Sequence, residues 1–127
     1  MSRNKCAGDF DYDGFLDVIY HRANPELEYG ITLDFGNVLI DLSKDQNIKR
    51  IEIINASKIL GVSKYDLKHI ICIIGGLNIG NNKIELTLKV EFLKRNRNTT
   101  VSFESDILND YGLSENTITV SAGPALA

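Results

Sequence analysis

Ile51-Glu52-Ile53-Ile54-Asn55-Ala56-Ser57 is the stretch whose reading decides the fold. Isoleucines surround a single carboxylate, and Asn-Ala-Ser follows at once. The pattern reads as a strand that hands over to a helix. Strand alternation sets Ile51 and Ile53 on one face, and Glu52 and Ile54 on the other with Arg50. A carboxylate buried there without a partner would be costly, so Glu52 needs a partner within the chain or across a dimer.

Upstream of this stretch the chain breaks into short strands. The first covers residues 15–22, with Leu16, Val18 and Tyr20 on one face and Asp17, Ile19 and His21 on the other. Pro25 interrupts it, because proline removes a donor and restricts Asn24 before it. A second strand spans 29–35, Gly36-Asn37 signals a tight hairpin, and a third strand spans 38–42. The polar segment 43–47 leads into the fourth strand, 48–54. Short connections between four strands imply an antiparallel meander. Residues 1–10 read as a polar lead-in.

Downstream, residues 56–60 form one or two helical turns before Gly61 stops them. Ser63 is an N-cap with Asp66 three residues on, opening a second short helix over 64–70. The apolar run Ile70-Ile71-Cys72-Ile73-Ile74 follows, and glycines punctuate 75–82 as a segment that could separate two subdomains. Residues 83–92 alternate without a break: Ile84, Leu86, Leu88, Val90 and Phe92 face one way, charged and hydroxyl side chains the other. Residues 94–98 turn the chain and 99–104 return as a partner strand. A helical turn over 106–111 and a last strand over 116–120 complete the order, with 121–127 expected to be partly disordered. The fold expected is α+β and β-rich: an antiparallel β-meander, a short helical segment and a C-terminal β-hairpin, in a single domain over 1–127.

Composition bounds the function classes. The net charge of −3 supplies no basic field for coating nucleic acid. No apolar run approaches the roughly 20 residues of a membrane helix, and Met1–Lys5 is not followed by an apolar segment, so a cytoplasmic protein is expected. Two cysteines do not form a disulfide framework in a chain of this length, and Cys72 reads as a buried free thiol.

Tyr12-Asp13, Asp17, Tyr20, Leu39-Ile40-Asp41 and the run from Ile48 to Ser57 together resemble the prokaryotic domain of unknown function numbered 2283. The resemblance covers residues 10–60. It implies the meander and first helix, and it carries no established activity. It departs from the family at 43–47, where an Asp- and Gly-rich turn is usual, and at Arg50, where glycine is usual. Some relatives in that family work beside small toxin-like partners, which implies an antitoxin-like class. Residues 61–127 lie outside the resemblance.

Candidate binding residues are Asp17, Tyr20, Asp41, Glu52 and Asn55, because the carboxylates fall on three strands of one meander. Side by side in an apolar setting, such carboxylates raise one another's pKa and serve acid–base chemistry. Paired with arginine or backbone amides, they are structural. Asp11, Asp13 and Asp17 fail the spacing of a calcium loop. His21 and His69 lack a second ligand at zinc spacing, and no metal or cofactor is indicated. Gly75-Gly76 does not open a helix, as a phosphate loop must. Lys94-Arg95-Asn96-Arg97 puts three cations at a hairpin tip, yet no aromatic stands beside it in sequence to stack a base. A solvated turn is therefore expected there, and nucleic acid is not.

The two function classes expected are a non-enzymatic interaction or oligomerisation module, with a homodimer or higher oligomer and a possible small protein partner, and a small enzyme or ligand-binding protein using Asp17, Asp41 and Glu52. The long amphipathic strand 83–92 favours self-association, since its hairpin is marginal alone and its apolar face needs a cover.

Overall fold

A computed structural model of the chain describes residues 9–124. Among them are strands β1 (Asp9–Asp13), β2 (Val18–Arg22), β3 (Tyr29–Asp34), β4 (Val38–Ser43), β5 (Ile48–Ile54), β6 (Ile70–Ile79), β7 (Lys83–Lys94), β8 (Arg97–Leu108) and β9 (Asn116–Pro124), and helices α1 (Ala56–Leu60) and α2 (Lys64–Leu67) between β5 and β6. The fold is β-rich and mostly antiparallel, with few short helices. One continuous order, β3-β4-β5-β2-β1-β9-β6-β7-β8, holds all the described strands. Its single parallel contact joins β1 to β9, through Asp9 beside Gly123 and Phe10 beside Pro124. That junction divides the sheet into a first half, β1 to β5, and a second half, β6 to β9.

The two halves share one core. Ile19, Leu33, Ile40, Ile51 and Ile53 from the first half cluster with Ile73, Leu77, Leu86, Leu88 and Val90 from the second. Gly75 shows how close the layers come. A methyl group added there would sit 3.2 Å from Ile51 Cδ1 and 3.3 Å from Leu88 Cδ2. Helix α1 packs against β8 and α2 against β7. At the far end Gln46, in the β4–β5 turn, donates from Nε2 to the Ser114 carbonyl (3.1 Å) and accepts the Ser114 N–H on Oε1 (2.9 Å).

Several expected elements stand in place. Gly36 takes φ 90° in the β3–β4 turn, and Gly61 caps α1 in the left-handed region at φ 67°. The Ser63 side chain accepts from the Asp66 N–H at 3.0 Å. Others are corrected. The first of the expected strands begins at Val18, because residues 14–17 form a turn. A strand, β1, lies ahead of it from Asp9, where a lead-in was expected through residue 10; residues 1–8 fall outside the described part. Helix α2 ends at Leu67, and the apolar run after it is β6, which carries Gly75 and Gly76 inside a strand. Gly75 there marks close packing within the strand. Strand β8 continues through Asp106–Leu108, where a helical turn was expected. Residues 121–124, expected to be partly disordered, extend β9 to its pairing with β1. Cys72 is disulfide-bonded, where a buried free thiol was expected.

Candidate functional site

The five residues singled out from the sequence do not converge on one cleft. Asp17 sits apart from the others. It occupies the last position of the β1–β2 turn with φ 59° and is 6% exposed. Aspartate is among the few residues that tolerate this left-handed backbone. Its carboxylate accepts the Ser57 hydroxyl at 2.7 Å, the Ser57 N–H at 3.0 Å and the Tyr12 hydroxyl at 2.8 Å. Its carbonyl accepts the Ala56 N–H at 2.9 Å. Burial opposes the charge, but the Ser57 and Tyr12 hydrogen bonds and the Lys64 charge outweigh it. They hold the Asp17 carboxyl below the usual carboxylate value of 3.8. Tyr12 responds in the opposite sense: burial and its bond to Asp17 push the phenol above its ordinary 10.0. Asp17 therefore binds the start of α1 to the β1–β2 turn as a satisfied structural carboxylate.

Tyr20, Asp41 and Glu52 share the outer face of the first half-sheet. Tyr20 lies opposite Glu52 across β2–β5, and Asp41 lies opposite Arg50 across β4–β5. Arg50 Nη2 is 3.2 Å from Glu52 Oε1, and its guanidinium stands 5.9 Å from the Tyr20 ring centroid. Asp41 Oδ1 accepts the Thr32 hydroxyl at 2.7 Å, and Thr32 in turn lies 2.8 Å from the Tyr29 hydroxyl. The two carboxylates are thus diagonal neighbours with Arg50 between them. Arg50 is ion-paired with Glu52 and faces Asp41 across the two strands. Asn55 takes φ 55° at the β5–α1 hand-over and offers no side-chain cap. Its Nδ2 is 3.4 Å from Asn37 Oδ1.

Apart from Arg50, which strand alternation already sets beside Glu52, the residues that sequence reasoning missed are the partners. Arg50, Thr32 and Tyr29 complete the outer face, and Ser57 with Tyr12 completes the Asp17 hub. Strand pairing decides the first set, and register cannot be read from one strand alone. The second set was within reach: Tyr12, Asp17 and Ser57 all lie in the motif that carries the resemblance, and the fold brings them into direct contact.

His21 faces inward and is 3% exposed. Its Nδ1 donates to the Asp9 carbonyl, and its Nε2 has no partner among the described residues. On the outer face of the second half-sheet a concavity of about 540 Å³ lies over Gly76, Asn78, Glu85, Thr87, Glu104 and Asp106. Asn78 donates to Glu85 there at 3.3 Å. Among the described residues no group of three or more histidine, cysteine or carboxylate side chains could hold a metal ion. No described helix is long and apolar enough to cross a membrane.

Comparison with known proteins places the chain. It is 31% identical over 113 residues to the uncharacterised protein MJ0789 of Methanocaldococcus jannaschii, an alignment that covers 88% of this chain and 95% of that relative. The chain belongs to the MJ0789 family. It is also 26% identical over 113 residues, 89% of this chain and 91% of the relative, to a Methanosarcina mazei protein named "putative hypoxanthine phosphoribosyltransferase". No family model matches the chain, and no solved structure matches it.

Proposed function

We propose that this member of the MJ0789 family is a non-enzymatic interaction module that assembles through strand β8. The observation that carries this reading is the asymmetry of the two sheet edges. Edge strand β3 has six residues and a register irregularity at Tyr29/Ile31, both of which blunt an edge. Edge strand β8 has twelve residues paired without interruption to β7, and no described strand lies beyond it. Its middle, Thr99–Phe103, carries no charge. An isologous antiparallel pairing centred on Val101 sets Thr100 against Ser102 of the second copy and opposes no two carboxylates. Sliding the centre to Glu104 would oppose like charges, so the register is selective.

Size-exclusion chromatography with light scattering tests this. A dimer near 28 kDa, twice the 14.2 kDa chain, is expected at micromolar concentration. Thr100→Lys with Ser102→Lys is expected to give a monomer with an unchanged far-UV circular dichroism spectrum. A monomeric parent protein sinks the proposal.

The resemblance of residues 10–60 to the domain numbered 2283 supports an interaction class and extends it to an antitoxin-like role with a small protein partner. A site built on Asp17, Asp41 and Glu52 is not favoured, since each carboxylate is satisfied by separate neighbours. The name of the Methanosarcina relative would bring phosphoribosyl transfer. The glycine stretch at 75–80 that a phosphate would use lies within and just after β6, not at a helix start.

A further inference from the structure

The hairpin tip that lacks an aromatic neighbour in sequence acquires two in space. Between α2 and the β7–β8 turn lies a concavity of about 500 Å³ lined by Tyr65, Asp66, His69, Leu93, Lys94, Arg95 and Asn96. We propose that this concavity binds a nucleotide unit, an unstacked base with its adjacent phosphate, by stacking on Tyr65 and pairing with Arg95.

Tyr65 is 70% exposed, which is unusual for a tyrosine held on a helix. Its ring centroid lies 4.8 Å from that of His69, with the planes inclined at 49°. Leu93 beside them is 40% exposed, so the wall is apolar and aromatic while remaining open to solvent. Such a platform takes the π-face of any base.

The wall is held in place by its own hydrogen bonds. His69 Nδ1 is 3.0 Å from the Tyr65 carbonyl, and the Leu93 N–H donates to the His69 carbonyl at 3.0 Å. The Ser63 cap on Asp66 fixes the first turn of α2. Asp66 Oδ2 lies 3.5 Å from Lys94 Nζ, tying α2 to the hairpin and neutralising that lysine. Arg95 makes no ion pair among the described residues, so one cation of the lining stays available. An arginine fork suits a phosphate better than a lysine does.

The turn itself adds a second observation. Arg95 and Asn96 both have positive φ, 52° and 64°. Asparagine is at home there; arginine is not, and a turn built for stability alone would carry Asn or Gly in its place. The misfit residue is one that lines the concavity. Because the protein as a whole is acidic, the footprint is one or two nucleotides, not a long strand.

Isothermal titration calorimetry at low salt with adenosine monophosphate, adenosine and an eight-nucleotide oligoadenylate RNA tests the proposal on the full chain. Binding of the monophosphate or of the oligonucleotide, weakening as salt rises, is expected. Tyr65→Phe is expected to keep binding within about twofold, and Tyr65→Ala to weaken it about tenfold or more. Arg95→Asn is expected to weaken it by about tenfold. That substitution suits the left-handed turn, so its thermal midpoint should equal or exceed the parent's and unfolding cannot explain the loss. A response to the monophosphate assigns a free nucleotide as ligand, and a response to the oligonucleotide alone assigns single-stranded RNA. Absence of binding by both overturns the proposal. So does equal affinity for adenosine and its monophosphate, or binding indifferent to Tyr65→Ala and Arg95→Asn.

Discussion

Asp17 is the residue on which the first half of the molecule turns. Its carboxylate accepts three hydrogen bonds from two residues, one of them 40 positions away. Asp17→Asn keeps a residue that tolerates φ 59° but turns an NH₂ group toward a donor. Loss of charge-assisted bonds at a buried site is expected to cost about 2–3 kcal/mol, read from urea unfolding. The pH dependence has a definite sign. The folded pKa is depressed, so the unfolded chain binds the extra proton. The contribution of Asp17 is complete above about pH 3.8 and is lost as pH falls through the lower folded value. Asp17→Asn should flatten the acid limb of the stability profile; an unaltered limb would show that the carboxylate does no such service. Tyr12 works at the other extreme. Its raised pKa means that its contribution is full below pH 10.0 and declines above it, as the unfolded phenol ionises first. Tyr12→Phe should remove that alkaline decline.

At the scale of the element, pattern predicted strands well where one face is buried and the other wet. Strand β7 is the clearest case: Ile84, Leu86, Leu88, Val90 and Phe92 are all buried, as the alternation requires. It predicted poorly at the ends. Phe15 and Leu16 continue an alternating pattern into β2, yet they are 93% and 55% exposed in a turn that Asp13 Oδ1 organises by accepting both of their N–H groups. A side-chain acceptor two residues ahead competes with strand pairing, and hydropathy does not register it. Strand β6 joins the apolar run at 70–74 to Gly75 and Gly76, which look like breakers by sequence. At Gly75 an added methyl would stand 3.2 Å from Ile51 Cδ1 of the opposite layer, whereas Gly76 has no such close neighbour. Gly30 poses a sharper constraint, since an added methyl would meet Ser43 and Lys44 backbone atoms at 2.9 Å. Gly30→Ala must shift β3 against β4, and a loss of about 1–3 kcal/mol in thermal or denaturant unfolding is expected. A variant as stable as the parent would mean that this edge of the sheet relaxes freely.

For the whole molecule the decisive fact is that the ends of the described chain meet. Strand β9 lies between β1 and β6, so the two half-sheets are joined by pairing that neither half supplies alone. The buried residues of 10–60 share one core with Leu77, Leu86 and Leu88, from outside that segment. A fragment of residues 1–62 is therefore expected to expose its apolar face, bind a hydrophobic dye and give a poorly dispersed amide spectrum. A monomeric fragment with a dispersed spectrum would refute this view of the core. By itself the sequence determined the β-rich class, the strands β3, β4, β5 and β7, the Gly61 and Ser63 caps and the chemistry of the hairpin tip. All of these rest on periodicity and on residues acting within a few positions of themselves. Only the tertiary structure decided that Asp17 meets Ser57, that Arg50 stands between Asp41 and Glu52, and that Tyr65, His69 and Arg95 line one concavity. Each of these arrangements brings in a residue from another element of the chain. Strand register and layer packing set them, and no local pattern encodes either.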